Sequence, residues 1–296
     1  MNICESIANI CLQYPIFKYI VHLLTLLNFN QMNLLSNMFK KSADKKYPVG
    51  IALSGGGVRG FAHLGVLKAL NEYDIYPGII SGTSAGALAG VFYADGYSPE
   101  ESFEIFYDNS IFNFTQVSIP NKGFLSMEKV SKILKKTIRA KTFEELKTPL
   151  YVAASNLNDG EIKYFYQGSI IDKVVASASI PVLFKPQIID GKTFVDGGVF
   201  DNLPINPIKD QCKKLIGSHV NPLGKENNLD SIIKIAERTF HLSVGAQLAQ
   251  KKKICSLFIE AEELRDYGML GLEKGREIFE AGYKKTQKIL EKNSSF

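Results

Sequence analysis

Short apolar runs that end in glycine alternate with longer segments of helical spacing after residue 46. Residues 47–57, YPVGIALSGGG, form an apolar run ending in three glycines, which is typical of a buried strand followed by a tight turn. Residues 58–71 carry leucines at helical spacing, and a second apolar strand at 78–81 leads into an alanine-rich helix that ends at Gly96. Two successive strand–turn–helix units predict a parallel sheet with helices on both faces.

The second half of the chain continues the alternation of strands and helices. Residues 149–156 are predicted to form a buried strand, with 162–166 as its hairpin partner. Further strands are predicted to end at Asp196 and to occupy 214–220. No internal repeat or low-complexity tract interrupts the pattern. The sequence therefore predicts one α/β domain over residues 47–292, a three-layer αβα arrangement with a mainly parallel central sheet.

Residues 1–46 form an apolar N-terminal extension. The stretch IFKYIVHLLTLL at 16–27 is apolar on one helical face but is shorter than the roughly 18–20 residues needed to cross a bilayer. Only Glu5 is charged before Lys18, so the basic start of a secretory signal is absent. We expect a helix that docks on the domain or on a partner chain, with an interfacial membrane helix or a later translation start as alternatives.

Aromatic side chains are concentrated in a helical and loop-like segment over residues 99–139. Packing in the core is the simpler interpretation, and a lipid-facing entry wall is the alternative. The aromatic side chains concerned are Phe103, Phe106, Tyr107, Phe112 and Phe114.

Composition and charge exclude some functional classes. Of the 296 residues, 45% are hydrophobic and 22% are charged, which is normal for a globular protein and excludes wholesale disorder. The 35 basic and 30 acidic residues give a net charge of +5, a mild excess that is compatible with anionic membrane surfaces. The sequence contains no basic stripe with interleaved aromatic residues, so it does not predict nucleic-acid binding. The lysine runs 251–253 and 284–285 are interpreted as solvated helix faces.

The four cysteines and four histidines are scattered along the chain. Their spacing matches no metal-binding pattern, so we expect neither a metal nor a cofactor. A disulfide framework is not expected in a chain of this length, which favours a reducing, cytoplasmic location. Peripheral contact with the inner face of a membrane is compatible with the charge and with the apolar N-terminus.

Residues 82–86, GTSAG, fit the G-x-S-x-G pattern of a nucleophile elbow. This motif holds a serine on a strained turn between a strand and a helix, where flanking glycines allow neighbouring chains to approach. The helix N-terminus then directs its free N–H groups toward the serine oxygen. The apolar strand before GTSAG and the small-residue helix after it supply the context that the motif requires. Ser84 is therefore predicted to be a nucleophile.

Residues 55–60, GGGVRG, allow two interpretations. The spacing matches the G-x-G-x-x-G of a dinucleotide site, which requires an acidic residue about 20 positions further on at a strand end. Glu72 and Asp74 lie 12 and 14 residues after the last glycine, which is a poor fit. The alternative is an oxyanion hole built from the backbone N–H groups of the first three glycines. Because Ser84 follows on the next strand turn, one reaction centre explains both turns, and we favour the oxyanion hole.

The base that accepts the proton of Ser84 has more than one candidate. In the Ser-His-Asp pattern a histidine follows late in the chain; His219 stands near a strand end, whereas His241 lies in a helical pattern. His63 lies on the helix after the glycine loop, where a packed or backbone-bonded role is simpler. Asp196 ends an apolar strand at a glycine turn, from which its carboxylate can reach a shared crevice. Local pattern favours Asp196 without deciding, because Asp-Gly pairs are common in ordinary turns.

Five segments occur in this order along the chain: GGGVRG at 55–60, GTSAG at 82–86, ASASIPVLFKP at 176–186, DGG at 196–198 and VFDNLPINPI at 199–208. Together they resemble the patatin-like phospholipases, which use a Ser-Asp pair without histidine. The likeness covers residues 48–210 well, is weaker over 211–292 and is absent over 1–46. A triple match of GGGVRG, GTSAG and DGG in the right order is highly specific.

The resemblance implies a lipid acyl hydrolase that cleaves phospholipids or lysophospholipids through an acyl-enzyme, without a metal. It implies that Ser84 attacks the ester carbonyl and that Asp196 accepts its proton. The other residues that it implies are the oxyanion-hole glycines Gly55, Gly56 and Gly57, the loop-bracing Arg59, and the motif glycines Gly60, Gly82, Gly86, Gly197 and Gly198.

Two other functional classes stay open at this stage. One is a nucleotide-binding protein built on the GGGVRG turn, which would bind NAD or ATP tightly and lack esterase activity. The other is a catalytically silent lipid-binding or scaffold protein that keeps the fold. The presence of both Ser84 and Asp196 argues against the catalytically silent protein, because such a protein would be free to lose these residues.

Overall fold

An eight-stranded mixed sheet organises the chain in the computed structural model. The residues from Lys45 to Phe296 form one compact unit. The extension predicted over residues 1–46 lies outside the described residues except for Lys45 and Lys46, and so do Phe112, Phe114 and His241. The structure describes residues 45–109, 127–224, 230, 235, 238–239, 242, 248–268, 273–293 and 296.

The sheet is mainly parallel and carries an antiparallel edge. The strands are β1 (Tyr47–Leu53), β2 (Ile79–Thr83), β3 (Leu150–Asn156), β4 (Glu161–Phe165), β5 (Gln187–Ile189), β6 (Lys192–Asp196), β7 (Cys212–Ser218) and β8 (Leu257–Ile259). Each strand is hydrogen-bonded to the next in the series β5-β6-β3-β2-β1-β7-β8, and β4 is also paired to β3. Strands β1, β2, β3, β7 and β8 pair in parallel, whereas β4 and β6 run antiparallel to β3.

Helices connect the parallel strands, as the sequence pattern predicts. The α-helices with described bounds are α1 (Phe61–Glu72), α2 (Ala85–Asp95), α3 (Pro99–Asp108), α4 (Glu128–Thr137), α5 (Ile171–Ser177), α6 (Leu248–Ile254) and α7 (Gly275–Lys292). Helix α2 ends at Gly96, whose φ of 91° suits glycine. Helix α3 begins with a capping box between Ser98 and Glu101, which satisfies two free N–H groups.

Apolar side chains cover both faces of the sheet. Ile51 and Leu53 on β1 belong to the larger core, which includes residues of α1, α2, α3 and α7. The intervening Ala52 belongs to a smaller core on the other face, together with Leu203 and Ile208. This alternation is what a strand buried on both faces requires. It confirms the predicted three-layer α/β fold.

The aromatic segment before residue 110 packs inward. Phe103 and Phe106 of α3 are buried, and their rings lie 5.0 and 6.5 Å from the ring of Phe61 on α1. Core packing, the simpler of the two interpretations, is therefore what the structure shows for these two side chains.

Strand β3 brings the ends of two other strands together. Strand β4 pairs along Val152–Asn156 and occupies one edge of β3. Strands β2 and β6 share the other edge, because each overlaps β4 in its pairing with β3. The last residue of β2, Thr83, lies opposite Ala153, and the last residue of β6, Asp196, lies opposite Ala154. The carboxyl ends of β2 and β6 therefore meet head to head.

Helices α1 and α7 approach so closely that each presents a glycine to the other. A Cβ atom on Gly65 would lie 2.0 Å from the carbonyl oxygen of Phe279, and one on Gly282 would lie 2.2 Å from that of Ala62. These contacts are with backbone, so no side-chain rotation can relieve them. The packing of α1, which follows the glycine loop, therefore depends on this contact.

We expect Gly65→Ala to lower the free energy of unfolding, although alanine favours helices by about 1 kcal/mol over glycine. Overpacking of this kind costs about 1–3 kcal/mol and more when backbone must move, so the clash outweighs the helix propensity. Urea unfolding of Gly65→Ala, beside the exposed α7 variant Lys284→Ala, measures the effect. A Gly65→Ala variant as stable as the wild type would contradict the close packing.

Candidate active site

Ser84 occupies a strained turn between β2 and α2. Its φ of 54° and ψ of −119° are unfavourable for a residue with a side chain, as a nucleophile elbow requires. The flanking glycines make the turn sterically possible. A Cβ on Gly82 would lie 2.5 Å from the carbonyl oxygen of Gly86, and a Cβ on Gly86 would lie 2.2 Å from that of Leu53. The predicted roles of Gly82 and Gly86 therefore have a direct steric basis.

A second serine holds the elbow in position. The backbone N–H of Ser84 donates to the Oγ atom of Ser177, at 2.9 Å, on helix α5. Ser177 is fully buried, and Ser84 is only 6% exposed. Sequence reasoning missed this role of Ser177, although the residue lies in the ASASIPVLFKP segment that carries the family resemblance.

Asp196 meets Ser84 at the head-to-head strand ends. The Asp196 carboxylate accepts the N–H of Gly198 at 2.7 Å, and the Ser84 side chain interacts with the same carboxylate. Burial raises the pKa of Asp196 from 3.8 to about 6, and these two polar interactions offset only part of the rise. A Cβ on Gly197 would lie 2.4 Å from the carbonyl oxygen of Ala153, so the turn after Asp196 requires glycine.

The glycine loop passes directly beside the serine. A Cβ on Gly55 would lie 3.2 Å from the Cβ of Ser84. The N–H of Gly55 donates to the carbonyl oxygen of Asn202 at 3.0 Å, so this group is already engaged. Within the described part of the chain, no hydrogen bond occupies the N–H groups of Gly56 and Gly57. Of the three predicted oxyanion donors, Gly56 and Gly57 are therefore the two whose N–H groups have no recorded hydrogen bond among the described residues.

A buried histidine fastens the glycine loop to strand β7. His63 on α1 bonds through Nε2 to the carbonyl oxygen of Ser54 and through Nδ1 to the Oγ of Ser218, both at 2.8 Å. Because a carbonyl only accepts, the proton resides on Nε2. Burial lowers the pKa of His63 to about 4, so the ring is neutral. His63 thus has the backbone-bonded role that the sequence favoured.

The scan for protein families matches residues 51–208 to the patatin-like phospholipases, which is more than half of the chain. The chain belongs to the patatin-like phospholipase family. The matched segment contains both members of the Ser84–Asp196 pair and the whole glycine loop. The resemblance found in the sequence motifs is therefore confirmed.

Relatives of this patatin-like chain come from bacteria and fungi. It is 34% identical over 164 residues to an uncharacterised NTE family protein of Mycobacterium tuberculosis, covering 54% of this chain and 45% of that protein. It is 27% identical over 280 residues to a lysophospholipase of Aspergillus fumigatus, covering 83% of this chain and 18% of that protein. The chain thus spans less than half the length of these relatives.

A solved structure shares the fold. VipD from Legionella pneumophila superposes with a TM-score of 0.51 at 16% sequence identity, over 83% of this chain and 67% of that chain. At this identity the likeness concerns the fold alone.

Arg59 and His219 have partners other than the reaction centre. Arg59 donates through Nε and Nη2 to the carbonyl oxygen of Tyr267, at 2.8 and 2.6 Å. His219 bonds through Nδ1 to Glu260 at 2.6 Å, and its buried Nε2 has no hydrogen-bond partner. Neither nitrogen of His219 therefore contacts Ser84.

The dinucleotide interpretation lacks its acidic residue. Glu72 ends the 12-residue helix α1, roughly 16 Å along the helix axis from the glycine loop. Its carboxylate accepts from the Tyr283 hydroxyl at 2.7 Å and pairs with Lys68 at 3.2 Å. Glu72 therefore does not reach a nucleotide bound at the start of α1.

Two asparagines that sequence reasoning did not single out tie the loop to the site. Asn221 Nδ2 donates to the carbonyl oxygen of Gly55 at 2.5 Å, and a Cβ on Gly55 would lie 2.5 Å from Asn202 Oδ1. Asn202 belongs to the VFDNLPINPI segment, so its motif was visible. Asn221 lies beyond the motifs and carried no signal in the sequence.

The reaction centre is distinct from a large cavity between α4, α5 and β5. This cavity has a volume of about 620 Å³, and its wall includes Lys135, Lys141 and Lys185. Ser84 and Asp196 do not line it.

Among the residues that the structure describes, no group of three or more His, Cys, Asp or Glu side chains is placed to hold a metal ion. In the same part of the chain, no helix is long and apolar enough to cross a membrane.

We expect Asp196→Asn to stabilise the fold at neutral pH. Raising the pKa of a buried carboxyl from 3.8 to about 6 corresponds to about 3 kcal/mol of destabilisation when the group is ionised. The folded wild type takes up a proton as the pH falls through 6, so this cost disappears by about pH 4. Urea unfolding should therefore show Asp196→Asn more stable at pH 7.5 and equal to the wild type at pH 4. Equal stabilities at pH 7.5 would mean that Asp196 is not a costly buried charge.

Proposed function

We propose that this chain is a serine hydrolase that cleaves carboxylic ester bonds of lipids on a Ser84–Asp196 dyad. One observation carries the proposal: the meeting ends of β2 and β6 bring Ser84 next to the buried carboxylate of Asp196, whose pKa is raised to about 6. Such a carboxylate is a stronger base than an exposed aspartate, yet it is ionised near neutral pH. Membership of the patatin-like phospholipase family supports the same activity.

The proposed reaction has two halves. In the first, Ser84 Oγ attacks the ester carbonyl carbon while its proton passes to Asp196. The tetrahedral intermediate then expels the alcohol, which takes that proton, and leaves an acyl group on Ser84. In the second, water attacks the acyl-enzyme, Asp196 accepts the water proton, and the collapse releases the carboxylic acid and restores the Ser84 hydroxyl.

Electrostatic stabilisation must carry much of the catalysis. A carboxyl of pKa about 6 is a far weaker base than an alkoxide, so proton transfer is feasible only if the charge on oxygen is stabilised at once. The N–H groups of Gly56 and Gly57 and the N-terminus of α2 can supply this stabilisation. Losing one oxyanion donor typically costs about 10²- to 10³-fold in rate.

A lipid substrate fits the surroundings of the catalytic turn. Val199 and Phe200 directly follow the DGG turn and are exposed. Exposed apolar groups of this kind suit acyl chains or a membrane surface. Fungal relatives named as lysophospholipases make phospholipids or lysophospholipids the proposed substrate class.

We further propose that the protein works in the cytoplasm with peripheral contact to a membrane. Both cysteines in the described residues, Cys212 and Cys255, are free thiols, which is compatible with a reducing compartment. The net charge of +5 is compatible with an anionic membrane surface.

Hydrolysis of a p-nitrophenyl acyl-ester series and labelling by a fluorophosphonate probe test the dyad. We expect the wild type to label and turn over, Ser84→Ala to do neither, and Asp196→Asn to lose turnover while remaining folded. His219→Gln is the matched control, because it retains a donor for Glu260 and should keep near-wild-type activity. An active Asp196→Asn together with an inactive, folded His219→Gln would reject the Ser-Asp mechanism.

The same substrates test the state of Asp196. Because the base must be ionised, kcat/KM should rise tenfold for each pH unit below the free-enzyme pKa and level off above about pH 6. A pH–rate profile of the wild type measures this rise in kcat/KM. A rise in kcat/KM centred near pH 4 would contradict the raised pKa of Asp196.

Tight binding of NAD or ATP without esterase activity would instead support the nucleotide-binding interpretation.

A further inference from the structure

The backbone of Asp201 links the two halves of the dyad. Its N–H donates to the carbonyl oxygen of Gly197 at 2.8 Å, and its own carbonyl oxygen accepts the Thr83 hydroxyl at 2.8 Å. Gly197 follows Asp196, and Thr83 precedes Ser84. A displacement of Asp201 would therefore be transmitted to both catalytic residues.

The side chain of Asp201 is held by two donors from other parts of the chain. Its carboxylate accepts the Tyr164 hydroxyl of β4 at 2.5 Å and forms an ion pair with the Lys251 ammonium group of α6. Asp201 is 4% exposed and Lys251 is 8% exposed. A charge buried this deeply is tolerated only when it is paired, so each of the two charges constrains the other. Burial and the charge of Asp201 raise the pKa of Tyr164, which keeps its hydroxyl protonated as a donor.

Lys251 corrects an interpretation made from the sequence. The run 251–253 was expected to be a solvated helix face, and Lys252 and Lys253 are indeed exposed. Lys251 instead turns inward toward the catalytic turn, and its position lies outside the family segment 51–208. The contact depends on tertiary structure, because residues 201 and 251 are 50 positions apart.

We propose that Lys251, acting through the buried carboxylate of Asp201, is a positioning residue that keeps Ser84 and Asp196 in register. The inference rests on the proposed hydrolase function and adds to it a requirement for the C-terminal part of the chain. Lys251 holds the Asp201 side chain, and the Asp201 backbone bonds to the carbonyl oxygen of Gly197 and to the hydroxyl of Thr83. These two residues are the chain neighbours of Asp196 and Ser84.

Lys251→Met tests the ion pair, and the adjacent exposed Lys252→Met is the matched control. A misplacement on the order of 1 Å costs about 10²-fold in rate. We therefore expect Lys251→Met to lose about 10²-fold in kcat per folded molecule with KM nearly unchanged, and Lys252→Met to match the wild type. Lys251→Arg, which keeps the charge, should restore much of kcat. Urea unfolding of each variant gives the folded fraction.

Tyr164→Phe is the second variant, because it keeps the ion pair and is the safer one for folding. It removes one hydrogen bond to a charged group, for which we expect a loss of about tenfold in kcat. If Lys251→Met does not fold, Tyr164→Phe and Lys251→Arg decide the matter. Wild-type kcat in Tyr164→Phe together with unchanged exchange of peptides 197–202 in Lys251→Arg and Tyr164→Phe would then overturn the role of the held Asp201 carboxylate, on which the inference depends.

Amide hydrogen exchange gives a readout that does not depend on activity. We expect faster exchange in peptides covering 197–202 in Lys251→Met than in the wild type or Lys252→Met. Unchanged exchange there, or a folded Lys251→Met with wild-type kcat, overturns the positioning role. An inactive wild type would reject the proposed function, whereas the exchange comparison would still decide whether Lys251 orders the turn.

Discussion

The shared edge of β3 is the constraint on which the site depends. Parallel β2 and antiparallel β6 pair with consecutive residues, Ala153 and Ala154, so their carboxyl ends must meet. Ser84 and Asp196 are 112 positions apart in the chain, yet the hydrogen-bond register of a single strand brings them together. Loops alone would not fix two side chains in this way, because loops are more mobile than paired strands. The antiparallel edge is therefore the part of the sheet that completes the dyad.

Burial then gives the assembled groups their chemical character. Two buried titratable groups, Asp196 and His63, have their pKa values shifted in opposite directions, from 3.8 to about 6 and from 6.5 to about 4. In both cases burial disfavours the charged form, which raises the pKa of the acid and lowers that of the base. The carboxylate becomes a better proton acceptor, while the histidine is kept neutral as a fastening for the glycine loop. In the proposed Ser-Asp mechanism, preorganised backbone donors stabilise the developing charge.

Several interactions hold this centre from outside the motif-bearing segment. Asn221 bonds to the glycine loop, Tyr267 accepts from Arg59, and Lys251 pairs with Asp201. All three lie beyond the segment 51–208 that matches the patatin-like phospholipases. The C-terminal part of the chain is therefore attached to the reaction centre by polar contacts in addition to the packing of α7 on α1. Resemblance to the family is weaker in this part of the sequence than over residues 48–210, so these contacts could not be inferred from the motifs.

The sequence by itself determined the α/β class, the two strand–turn–helix units and the position of the strained turn at Ser84. Each is a local pattern: regularly spaced apolar residues, a glycine turn, or the GTSAG motif. It also identified the glycine loop, but only tertiary structure separated the engaged N–H of Gly55 from those of Gly56 and Gly57. Local sequence favoured Asp196 as the base, and the family resemblance then singled it out. The pairing of β6 with β3 cannot be inferred from the sequence of either strand. Lys251 was misread for the same reason. Whether a lysine in a basic run faces solvent or a buried carboxylate depends on what the fold places opposite it.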